Sequence, residues 1–69
     1  MNVVKAEMSA TVWKLAVEDG TTVMPGDTIA ILESMKMEIP VLAESSGSVQ
    51  FRVTEGADIA EGAVLAEIE

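Results

Sequence analysis

Shifting the chain by 36 residues lays residues 10–33 over residues 46–69, and the two segments are punctuated in the same way. Val17 meets Val53, Gly20 meets Gly56, Gly26 meets Gly62, Ala30 meets Ala66 and Glu33 meets Glu69. Similar residues pair between these identities: Asp19 with Glu55, Val23 with Ile59, Ile29 with Leu65, Leu32 with Ile68. Five identities in 24 pairs is a modest count, but both glycines and the apolar positions between them align together. A chain built this way is expected to fold as two similar halves. Upstream of Val53 the register slips to a shift of 37, where Ser9-Ala10-Thr11-Val12 match Ser46-Gly47-Ser48-Val49. The second half is one residue shorter there, which predicts a β-bulge in the first half that the second lacks.

The patterning within each half is that of strands. Residues 29–34 alternate, with Ile29 and Ile31 on one face and Ala30 and Leu32 on the other. Residues 37–42 place Met37, Ile39 and Val41 opposite Glu38, Pro40 and Leu42. Residues 12–17 and 63–68 are β-rich but alternate less cleanly. Pro25-Gly26 suits the two central positions of a type II turn. Pro40 lacks an amide hydrogen, so its strand belongs at a sheet edge or turns that position to solvent. No helical stripe persists, and five glycines interrupt any attempt at one. Short strands at regular spacing in two similar halves predict an all-β fold, a small antiparallel sandwich or flattened barrel.

Residues 33–39 fall at the join, where beyond Glu33 no repeat partner is visible. A two-residue hairpin loop fits best at Met35-Lys36, with Ser34 and Met37 flanking it. Hairpin tips prefer Asn, Asp or Gly, yet here two methionines bracket a lysine. A lysine in a turn is ordinarily a solvated charge, and methionine is ordinarily a core filler. Met35 and Met37 cannot both flank the tip and point inward without distortion. A surface read by an enzyme that acts on Lys36 accounts for all three residues together, since methionine is apolar and adaptable. A lysine that is itself catalytic needs burial or a neighbouring cation. The charges nearest Lys36 in sequence are Glu33 and Glu38, so the amine reads as a substrate rather than a catalyst.

Composition closes other routes. The 69 residues make one small domain, residues 1–69, with neither cysteine nor histidine. A structural zinc site and a Cys–His or Ser–His pair are thereby excluded, and apolar packing must carry the fold. Twelve acidic against four basic residues give a formal charge of −8, which disfavours nucleic acid and favours a soluble monomer. No apolar run is long enough to span a membrane and no signal peptide is visible, so the expected location is the cytoplasm.

The segment Glu33-Ser34-Met35-Lys36-Met37 resembles the attachment motif of biotin carboxyl carrier domains, usually Glu-Ala-Met-Lys-Met, with Ser34 in place of alanine. The likeness extends over the chain. Met8 and Ala10-Thr11-Val12-Trp13-Lys14 resemble the family's opening strand, and Gly20 with Pro25-Gly26-Asp27 resemble its first turns. Gly47, Gly56 and Gly62 resemble those of the second half. The biotinyl/lipoyl attachment family implies a flattened barrel of two four-stranded antiparallel sheets about a quasi-twofold axis, with the chain ends opposite the hairpin. It implies a non-catalytic carrier, with biotin joined to Lys36 by a biotin protein ligase that reads Glu33, Ser34, Met35, Met37 and Glu38. Carboxybiotin would then pass from a biotin carboxylase to a carboxyltransferase. Two features depart from larger relatives: residues 20–29 are too few for an inserted "thumb", and no Pro/Ala-rich linker is present. A lipoyl carrier shares the fold and the tip lysine but usually flanks it with Asp and Ala, so the methionines favour biotin over lipoate. An unmodified interaction module would leave the methionine bracket without a purpose.

Overall fold

The computed structural model describes residues 2–69, which form eight strands and no helix. The strands are β1 Asn2–Lys5, β2 Ala10–Leu15, β3 Thr22–Val23, β4 Thr28–Ser34, β5 Met37–Leu42, β6 Gly47–Phe51, β7 Asp58–Ile59 and β8 Val64–Ile68. They make two four-stranded antiparallel sheets ordered β1-β8-β6-β3 and β5-β4-β2-β7. Replacing each strand by its repeat counterpart converts one order into the other. The sequence repeat is therefore a quasi-twofold axis. Strands β3 and β7 each pair in the sheet of the opposite half, which ties the halves together.

The turns repeat as well. Asp27 donates its N–H to the Met24 carbonyl at 3.0 Å, and Ala63 does the same to Ala60 at 3.0 Å. Gly26 supplies φ +93° at the third position of its turn, as a type II turn after Pro25 requires. Gly47 is needed for a different reason. At φ +146° its Cα packs against the Glu69 main chain, and an added Cβ would collide with the Glu69 carbonyl oxygen.

The register slip in the sequence becomes a bulge at Trp13. Across β2 and β4, Val12 pairs with Leu32 but Lys14 pairs with Ile31, so Trp13 is the extra residue. The counterpart ladder runs without interruption from Val49–Ile68 through Gln50–Glu67 to Phe51–Ala66. Two sequence expectations need correction. Ile29 and Ala30 do not lie on opposite faces, because the β4–β5 register shifts between Thr28 and Ala30 and both side chains enter the core. The same shift recurs between Val4 and Lys5 opposite Leu65-Ala66, which explains the imperfect alternation of residues 63–68. Nor does the join lack a counterpart. Strand β5 repeats β1 at a shift of 37, with Ala6 and Ala43 equally buried and accepting equivalent bonds from Gly62 and Gly26. Only the tip itself is unmatched.

The core is aliphatic. Val12, Val23, Ile29, Val49, Leu65 and Ile68 are its largest fully buried side chains, each worth about 1.5–3 kcal/mol of burial. Two clusters fill the space between the sheets, and Val4, Leu15 and Val41 pack against both. Two carboxylates lock the halves symmetrically: Phe51 donates its N–H to Asp19 Oδ1 at 2.7 Å, and Leu15 donates its own to Glu55 Oε2 at 2.9 Å. Part of the acidic excess is thus structural rather than merely solubilising.

Candidate functional site

Core packing decides where the β4–β5 hairpin turns. Ile29, Ala30 and Leu32 anchor β4, while Ile39 and Val41 of β5 pack against the same clusters. That fixes the register at Leu32–Ile39, Glu33–Glu38 and Ser34–Met37. Two residues remain for the loop, Met35 and Lys36, as their position in the sequence predicts. Their φ values of +53° and +65° are both left-handed, the pattern of a type I′ turn, whose twist matches that of the paired strands. No glycine relieves either position, so each costs about 1–2 kcal/mol relative to a right-handed residue. These are the only non-glycine residues with positive φ among the described residues, and they coincide with the candidate site.

Side chains at this tip stand clear of the body. Met35 is 89% exposed and Met37 61%, so neither fills the core, although Met37 shares the inward face of β5 with Ile39 and Val41. Lys36 is exposed, and it makes no ion pair among the described residues. It lines neither the groove between edge strands β1 and β5 nor the shallower one beside β7. Pro40 sits on β5, the edge strand expected for it. The site is thus a protruding amine with two thioether shoulders, suited to being inserted into another protein rather than to enclosing a substrate.

The five residues expected to be read with Lys36 split into two groups. Ser34, Met35 and Met37 surround the turn itself. Glu33 and Glu38 face each other one pair below it and continue a row across the sheet, Glu38–Glu33–Thr11–Asp58, in which Thr11 Oγ1 donates to Asp58 Oδ1 at 2.9 Å. Asp58 lies 22 residues along the chain from Lys36 and joins this row only because β7 crosses to the opposite half's sheet. No signal in the sequence would place it there.

Comparison with known proteins agrees with this geometry. A family model described as "Biotin-requiring enzyme" matches residues 2–68. The chain is 49% identical over 67 residues to the biotin-dependent acyl-coenzyme A carboxylase alpha3 subunit of Mycobacterium leprae (strain TN), covering 96% of this chain and 11% of that protein. It is 44% identical over 66 residues to the biotin/lipoyl attachment protein of Bacillus subtilis (strain 168), covering 94% of this chain and 90% of that one. Among solved structures, the Kluyveromyces lactis urea carboxylase contains a matching region with TM-score 0.91 and 30% identity, covering 99% of this chain and 6% of that one. The lipoyl domain of the Azotobacter vinelandii 2-oxoglutarate dehydrogenase complex matches at TM-score 0.84 with 24% identity, a likeness of fold alone, over 100% of this chain and 96% of that one. The chain belongs to the biotin/lipoyl attachment family.

Proposed function

We propose that the protein is a biotin carrier and that Lys36 Nζ is the attachment point. The observation that carries this reading is the type I′ turn, which keeps two residues in left-handed conformations and holds a lysine between exposed methionines at its tip. A solvated turn with no further role would be more stable with Asn-Gly. The residues present fit the group: an amide bond needs an accessible primary amine, and Lys36 is accessible and without an ion pair among the described residues.

The partner that forms the amide is a biotin protein ligase. Inside that enzyme the Lys36 amine gives up its proton and attacks a carboxyl group activated as an acyl adenylate. A C–N bond forms, the C–O bond to AMP breaks, and the product is a neutral amide. When bound, biotin takes up and gives off a carboxyl group. This chain's residues hold the arm's root rigidly and keep Met35 and Met37 available to the enzymes that receive it. Relatives named as acyl-coenzyme A carboxylase and pyruvate carboxylase support a biotin carboxylase and a carboxyltransferase as those enzymes. As a member of a family of attachment domains, this chain is read as contributing presentation rather than catalysis.

A second reading, lipoylation of the same amine, is favoured by the name of the Bacillus subtilis relative. Intact-mass analysis separates the two. After co-expression with a biotin ligase, wild-type protein is expected to gain one biotinyl group and Lys36→Arg none. Unmodified wild-type protein, with the ligase active on a control carrier, would refute the proposal; a lipoyl increment would establish the second reading.

A further inference from the structure

The quasi-twofold axis supplies an internal control: a feature present on one sheet and missing at its counterpart is not required by the fold. The outer face of the β5-β4-β2-β7 sheet carries such a feature. Below the acidic row lies a second row, Pro40–Ile31–Lys14, with Trp13 added by the bulge. Its counterpart on the other sheet is Val3–Glu67–Gln50, with no inserted residue. There Glu67 accepts a hydrogen bond from Arg52 at 2.7 Å, a polar arrangement. At the centre of its row the tip-bearing sheet has Ile31 where the other has the Arg52-bound Glu67, and beside it stands an inserted indole that stays 50% exposed; Lys14 ends the row as Gln50 ends the other. Since β6 completes its ladder without such a residue, the fold has no need of Trp13. Half-exposed tryptophan is characteristic of binding anchors.

This patch is close to Lys36. Three residues separate the Ser34–Met37 pair from the Ile31–Pro40 pair, about 10 Å along the strands. An unmodified lysine has only its short four-carbon stem with which to reach a catalytic centre. An enzyme acylating it must therefore press close to the tip and overhang both rows.

Building on the biotin-carrier reading, we propose that this face is the docking surface for the ligase that acylates Lys36. The partner surface it fits has an apolar pocket for Trp13, seated beside Ile31 and Pro40. Basic groups line the tip side of that pocket, where they meet Glu33, Glu38 and Asp58, and are absent from the side that faces Lys14. Opposite charge along the tip side favours encounter in the correct orientation.

The test is steady-state biotinylation by a biotin protein ligase, followed by intact mass. Wild type is compared with Trp13→Ala, Ile31→Glu and Gln50→Ala. Ile31→Glu installs the residue found at the counterpart position, where a strand of the same fold accepts it. Gln50→Ala alters the far sheet as a control. Trp13→Ala and Ile31→Glu are expected to raise KM by about tenfold or more with little change in kcat, while Gln50→Ala leaves both unchanged. Circular dichroism checks that each variant is folded, and Ile31→Glu serves if Trp13→Ala does not fold. A folded variant of this row with wild-type KM would overturn the docking surface and leave the carrier reading intact. Wild-type protein that accepts no biotin at all would instead overturn the carrier reading.

Discussion

Replacing Met35-Lys36 with Asn-Gly should stabilise the protein while deleting the proposed attachment site. Both residues sit in the left-handed region, at φ +53° and +65°. Each pays about 1–2 kcal/mol for that conformation, so the wild-type turn holds about 2–4 kcal/mol of local strain. Asn tolerates the left-handed region and recovers part of the first cost, and Gly recovers the second in full. Against this, glycine in the unfolded chain adds about 0.5–1 kcal/mol of entropy to be lost on folding. Burial changes little, because Met35 is 89% exposed and Lys36 is also exposed. The net gain is about 1–2 kcal/mol, which in a domain of this size raises Tm by about 4–8 °C per kcal/mol. Urea titration followed by circular dichroism should show a higher midpoint with an unchanged m value. An unchanged or lower midpoint would refute the argument that this turn is held against its local preference.

Two further outcomes test how the halves are joined and charged. Asp19→Ala removes the acceptor for the Phe51 N–H and should cost about 1–2 kcal/mol in the same titration; Glu55→Ala, its counterpart at Leu15, should cost a similar amount, and a neutral result for both would mean that water replaces them freely. The Arg52 guanidinium, hydrogen-bonded to Glu67, holds that carboxyl below its ordinary range, and Arg52 is raised by the same contact. A depressed carboxylate stabilises the folded state above its unfolded pKa and loses that contribution as pH falls through its folded value. Wild-type stability should therefore decline in the acid range more steeply than that of Glu67→Gln, and parallel profiles would count against the pair.

Much of this molecule could be read from residue order because its devices are local. Pro25-Gly26 determines its own turn, Pro40 its own edge, and one unmatched residue between Val12 and Val17 its own bulge. The two-residue tip also follows from short-range alternation, since Leu32 and Ile39 must both face inward. Features that depend on distant partners were out of reach. The shared inward orientation of Ile29 and Ala30 arises where β4 slips against β5, and alternation within β4 cannot reveal it. Strands β3 and β7 are two residues long and take their places by pairing across halves. Asp58 enters the acidic row through that exchange, and Asp19 and Glu55 reach acceptor positions that only the assembled halves create.

The quasi-twofold axis also explains why such a fold can present one lysine and no other. Strands β4 and β5 are joined by the shortest loop that can close a hairpin. At the related position β8 and β1 are paired, Ile68 with Asn2, but not connected. A tight left-handed turn can therefore arise at only one of the two equivalent ends. Lys5 and Lys14 lie on strands, where neighbouring backbone limits how far a modifying enzyme could close around them. Lys36 alone combines a protruding backbone with apolar shoulders, so under the proposed carrier reading selectivity among the lysines would follow from topology before any side-chain recognition is added. The recognition proposed for Met35, Met37 and the Trp13 face would then have less to accomplish, since it would need only to distinguish this tip from the hairpins of other proteins.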